Sequence, residues 1–174
     1  MLYLFGFDRL GVVAGDLYFV NPDPLEGQEG PEQGVRLELR LLERGALRGS
    51  VYSARPIAIE RPIWRADLLE SVANPGTLDR AHHHPRFRGW EPGPRHFVDE
   101  MDADPPAWVL ARLSDLDALL VDAGVAVDEL GPDDGRQLRS ALPEITTALH
   151  RLLDGVQRGE LARPSADDAR VSWL

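Results

Sequence analysis

The chain has 174 residues, 43% of them apolar and 28% charged, and a formal net charge of −10. That length suits one domain, and no apolar run is long enough to span a bilayer. Cysteine is absent and all 19 basic residues are arginine, which excludes disulfide scaffolds, thiolate metal sites, Schiff-base lysines and the lysine-bearing phosphate loop.

Residues 1–7 are apolar but carry no basic leader, and Asp8 and Arg9 follow at once, so they do not read as a signal peptide and the expected address is cytoplasmic. Residues 11–20 end in Leu17, Tyr18, Phe19 and Val20, a strand closed by Asn21, Pro22, Asp23 and Pro24. Residues 22–34 are proline, glycine and acid with little to bury, and read as a surface loop. From Val35 to Leu41 the odd positions are apolar and the even ones charged, the period of a half-buried strand. Gly45 and Gly49 bracket a turn, and the chain from Val51 reads as extended, with Ile57 and Ile59 on one face. Pro56 and Pro62 cannot donate to a ladder, so an edge, a bulge or two shorter strands is expected there. Residues 63–72, 73–76 and 77–84 read as strand, turn and strand.

The period then changes. Asp104 is an N-cap candidate with Pro105 in the first turn, and Val109, Leu113, Leu116 and Leu120 form a helical stripe that Gly124 ends. A second stripe runs through Leu138, Leu142, Ile145, Leu149, Leu152 and Val156, with Pro143 inside it predicting a kink or a fresh start. His150 sits beside that stripe as a partly exposed helix residue. The expected architecture is one α+β domain over residues 1–174. A curved N-terminal antiparallel sheet (1–96, mainly β) precedes two or three C-terminal helices (97–174, mainly α) packed on one face.

Charge follows the same division. Residues 1–96 hold twelve arginines against thirteen acids, while residues 97–174 hold seven against sixteen. Between the halves, residues 79–96 gather four of the five histidines and four arginines with only two acids, a cationic island in an acidic chain. On a strand, Arg80, His82 and His84 share one face, with Asp79, Ala81 and His83 on the other. The preceding strand carries Arg65, Asp67 and Glu70, and register decides whether Asp67 lies across from a histidine and fixes its tautomer.

Three readings of the island stand side by side. In the first, it cleaves or binds RNA without a metal or other cofactor: His82 or His84 and His96 exchange protons, Arg86 and Arg95 stabilise phosphate charge, and Arg80, Phe87, Arg88 and Trp90 contact the substrate. In the second, His82, His84 and His96 hold a divalent metal. In the third, its histidines and arginines are structural. The acidic helical half adds a further expectation, a protein partner docked on those helices or a mask folded over the island. No membrane partner is expected.

The charged strand, then His82, His83, His84 and Pro85, then a loop closing on Pro94, Arg95 and His96, resembles the TumE-type toxins of bacterial toxin–antitoxin pairs over residues 61–97. The resemblance implies action on RNA and a functional surface at His82, His84, Arg86 and His96. Trp64 to Leu68 followed by His82 to Phe87 also resembles an uncharacterised bacterial family, which implies no activity.

Overall fold

The computed structural model describes residues 1–164 and a short strand at 171–172. Strands β1 (Leu2–Gly6), β2 (Leu10–Val20), β3 (Pro31–Arg44), β4 (Ile57–Ser71) and β5 (His82–His84) form an antiparallel meander in chain order. A hairpin of β6 (Phe87–Arg88) and β7 (Glu91–Pro92) follows, then helices α1 (Asp99–Ala103), α2 (Pro105–Ser114), α3 (Leu116–Ala123) and α4 (Asp134–Gln157). Strand β8 (Val171–Ser172) returns to pair with β2. The architecture is α+β, a sheet followed by helices that pack on it, as the change of hydrophobic period predicts. No helix among the described residues is long and apolar enough to cross a membrane.

Alternation decides which side chains meet the helices. Val12 and Ala14 of β2, Leu37 and Leu39 of β3, and Trp64 and Ala66 of β4 point to one face and form a single core with Val109 and Leu113 of α2 and Ile145, Leu149 and Leu152 of α4. The opposite face carries charge. Its cross-strand rows read Val13, Glu38, Arg65, His84 and Gly15, Arg36, Asp67, His82. The chain between Phe87 and Phe97 lies against part of this second face, so β5 and the second half of β4 are largely buried, while β4 starts exposed at Ile57.

Several local expectations change in the structure, each for a tertiary reason. Strand β3 begins at Pro31 rather than after the loop, because buried Glu32 is clamped by Arg95 through two bonds of 2.9 and 3.0 Å. Residues 51–53 are turn and bend and 54–56 are irregular instead of strand, and Gly45 N–H donates to the Pro56 carbonyl to close the connection before β4 starts at Ile57. The Pro62 expectation survives as a register irregularity opposite Arg40. Of residues 77–84, only the three histidines are strand; the preceding turn is held by Glu70 accepting from Gly76 N–H and Asp79 accepting from Ser71 N–H.

The first helical stripe is two helices. Asp104 caps α2 by accepting from Ala107 N–H, and Asp115 breaks the run to cap α3 by accepting from Ala118 N–H. Helix α4 runs unbroken through Pro143, which is exposed. Its start is tied to the sheet: fully buried Asp134 accepts from the backbone N–H groups of Asp8, Arg9 and Gly131. Asp134→Ala strands these donors, and we expect it to cost roughly 2 kcal/mol, read as a lowered urea midpoint. Gly34 admits no side chain, since a Cβ there would lie 2.1 Å from the Leu68 carbonyl oxygen.

Candidate functional site: a buried charge network and a cationic cleft

Strand β5 pairs His82 with Asp67, His83 with Ala66 and His84 with Arg65. The three consecutive histidines therefore divide between the two faces of the sheet, and two different environments result.

On the charged face, Asp67 is buried beneath two arginines and two imidazoles. Arg36 donates through Nε to Oδ1 at 2.6 Å and through Nη2 to Oδ2 at 3.2 Å, and Arg65 Nε lies 3.0 Å from Oδ2. Desolvation alone would raise the Asp67 pKa, but Arg36, Arg65 and the facing histidines outweigh it and hold the carboxyl well below its ordinary range. His84 Nδ1 donates to the Gly93 carbonyl at 2.7 Å and its Nε2 accepts from Arg65 Nη2 at 2.8 Å, a complete set for a neutral ring. Burial is the main reason that its pKa falls below the usual value, with Asp67 opposing and Arg65 adding to the fall. His82 Nδ1 donates to the Arg80 carbonyl at 2.8 Å, and its Nε2 lies 3.3 Å from Asp67 Oδ2.

Asp67, His82 and His84 place their ligand-type atoms within 4.8 Å of one another, and both Nδ1–H groups are anchored by carbonyls, as metal-bound histidines commonly are. The expected third histidine, His96, is not in this group; Asp67 takes its place. The residues present fit a divalent ion poorly. The Arg65 guanidinium, bonded to His84 Nε2 and 3.0 Å from Asp67 Oδ2, already occupies the cationic position, and two arginines face one carboxylate before any ion is added.

On the helix-side face, His83 and His96 are joined by reciprocal backbone hydrogen bonds of 3.0 and 2.9 Å, which set their rings 5.7 Å apart. With Arg86, Arg88, Pro85, Pro94 and Asp122 they line an open cleft of about 570 Å³ at the sheet edge. His83 forms the buried part, edge-on to Trp108 at 4.9 Å, whereas His96, Arg86 and Arg88 are exposed. Burial, followed by the neighbouring His96 and Arg112, lowers the His83 pKa to about 4. Its Nδ1 is buried with no hydrogen-bond partner among the described residues. Arg86 Nε donates to the Asp122 carbonyl at 2.6 Å.

The structure thus splits the residues singled out from sequence. His96, Arg86 and Arg88 converge on the cleft; His82 and His84 lie in the buried network, and Arg95 is engaged by Glu32. Arg80 sits 4.0 Å from Asp79, and Phe87 and Trp90 face the charged side of the sheet, near Arg65 and Arg40. Sequence reading named neither Arg36 nor Glu32 and gave His83 no role. The alternation that separates His83 from its neighbours is legible in the sequence; its long-range partners are not.

No family model matches the chain, and no curated protein or solved structure matches it either.

Proposed function

We propose that the cleft at the edge of β5 cleaves RNA without a metal, with His83 and His96 as the proton-transfer pair. The observation that supports this reading is the placement of two imidazoles side by side beneath two exposed arginines. Cleavage of this type needs a base for the ribose 2′-hydroxyl, an acid for the leaving 5′-oxygen, and positive charge at the phosphorane oxygens. His83, unprotonated at neutral pH, accepts the 2′ proton at Nε2, the ring nitrogen other than the buried Nδ1. The 2′-oxygen then attacks phosphorus, the bond to the 5′-oxygen breaks, and His96 delivers a proton to that oxygen. The products are a 2′,3′-cyclic phosphate and a 5′-hydroxyl. Arg86 and Arg88 suit the phosphate oxygens, and a guanidinium fork is well matched to them.

In this reading His82 and His84 are positioning residues. They build the β5 edge from within and do not touch substrate. Arg95 acts in the same way, fixing the segment that carries His96 through its bonds to Glu32.

The test is incubation of single-stranded RNA with purified protein in excess chelator. Cyclic-phosphate ends are expected, and His96→Ala should lower the rate by roughly 100-fold or more. Intact RNA, or undiminished cleavage by the His96 variant, would sink the proposal. Because protonated His83 cannot accept the 2′ proton, kcat/KM should climb with pH along a limb centred near the His83 value of about 4. An ascending limb centred near 7 would remove His83 from the base role.

A further inference from the structure

We infer that the charged face of the sheet carries a nucleotide-binding groove, separate from the cleft, that stacks a base on Trp90 and holds a phosphate on Arg40 and Arg65. The groove encloses about 490 Å³, within the range of small-ligand sites, and shares no lining residue with the cleft. It therefore does not depend on RNA cleavage.

The floor is built from arginines that buried acids hold in place. Arg36 and Arg65 converge on Asp67, and Arg40 Nε donates to Glu38 at 2.7 Å. Among the described residues, three guanidinium groups face two carboxylates on this floor, in a chain whose net charge is −10. Burying so many charges on a sheet face is expensive, and apolar side chains would satisfy the fold at lower cost. What the arrangement provides is a set of forked donors fixed before any ligand arrives. Arg40 uses only Nε in its bond to Glu38, which leaves its terminal nitrogens for an anion.

The wall supplies the apolar half of recognition. Trp90 is 59% exposed at the tip of the β6–β7 hairpin, next to Gly89 in the left-handed conformation. The Arg40 guanidinium lies 5.4 Å from the indole centroid and Arg65 lies 5.9 Å from that of Phe87. An exposed indole at the tip of a tight hairpin, backed by an arginine, is a stacking platform for a flat ring. Trp90 also lines an adjoining hollow of about 560 Å³ in which Arg9, Arg44 and Arg61 are matched by Asp8, Glu43 and Glu60. The cationic excess lies on the groove side of the ring, so a base on the indole would place its phosphate toward Arg40 and Arg65. The same chemistry is offered by a free nucleotide and by one nucleotide of a single strand.

Tryptophan fluorescence of the full chain tests this, with AMP, adenosine, inorganic phosphate and a 2′-O-methyl RNA octamer as titrants. The octamer has no 2′-hydroxyl to attack, so binding is read apart from cleavage. Saturable quenching by AMP or by the octamer is expected, and the stronger of the two identifies the source. Adenosine and phosphate alone should each bind at least tenfold more weakly than AMP. Trp90→Phe should abolish the AMP quench and Arg40→Gln should weaken AMP binding at least tenfold, while His96→Ala leaves both unchanged. No saturable quench by AMP or the octamer overturns the inference, as does an AMP quench that persists in Trp90→Phe. If Arg40→Gln shifts the far-ultraviolet spectrum, Arg40→Lys replaces it; it keeps the charge but not the fork, and unchanged AMP affinity there would also count against the site.

Discussion

Asp67→Ala should lower stability by about 3–5 kcal/mol, because it leaves two guanidinium groups and two imidazoles buried without their common anion. For a chain of this size that is a fall of roughly 10 °C in Tm, readable by calorimetry or by the urea midpoint. The informative comparison is a triple variant, Arg36→Met, Asp67→Leu, Arg65→Met. Removing the whole network together with its desolvation should recover most of the loss. If the single and triple variants unfold alike, Asp67 is not the centre that holds this face. Groove binding is a separate readout, since the triple variant removes the fixed arginine floor even where stability returns.

The second large effect is on acid tolerance. Folding lowers the His83 pKa from 6.5 to about 4, so between those values the unfolded chain binds the extra proton and the folded chain does not. Stability should therefore rise with pH through this window, and the folded state should lose up to roughly 3 kcal/mol as pH falls from 6.5 to 4. His84 is lowered in the same direction and adds to the trend. Asp67 acts later. Its carboxyl is held below 3.8, so its contribution is complete above that value and is lost only at still lower pH. Urea midpoints across pH 4 to 7 would show the slope, and His83→Phe should flatten most of it. An unchanged slope in that variant would place the acid sensitivity elsewhere.

How far the sequence reveals this molecule depends on the range of the interactions. Alternation from Val35 to Leu41 and the stripes in α2 and α4 are local signals, and they lead directly to a sheet with helices on it. Asp104 announces its cap because the group it satisfies is three residues away. Glu32 does not: nothing near it explains a buried carboxylate, and its partner, Arg95, is sixty-three residues later. The candidate site fails to be legible for the same reason. Alternation separates His83 from His82 and His84, but the usual rule that one face is apolar and the other wet cannot say which is which. Here both faces are covered, one by helices and one by the chain from Phe87 to Phe97. Asp67 is the intermediate case, since its place opposite His82 needed only the register.

The two carboxylates that accept backbone donors far away in sequence bear on how the chain comes together. Asp134 reaches back to Asp8 and Arg9, and buried Asp16 accepts from Ala162 N–H at 2.7 Å. The start of α4 and the segment just past its end are thus fastened to the opening hairpin of the sheet, across separations of 126 and 146 residues. Closing loops of that size delays the contacts that reward it, so refolding should be slow for a chain with this much helix. A ribosome must also release the chain as far as Ala162 before both of these fastenings can form. A fragment ending near residue 96 would lose both fastenings and lay bare the apolar side of its sheet, and it should aggregate rather than behave as an independent module.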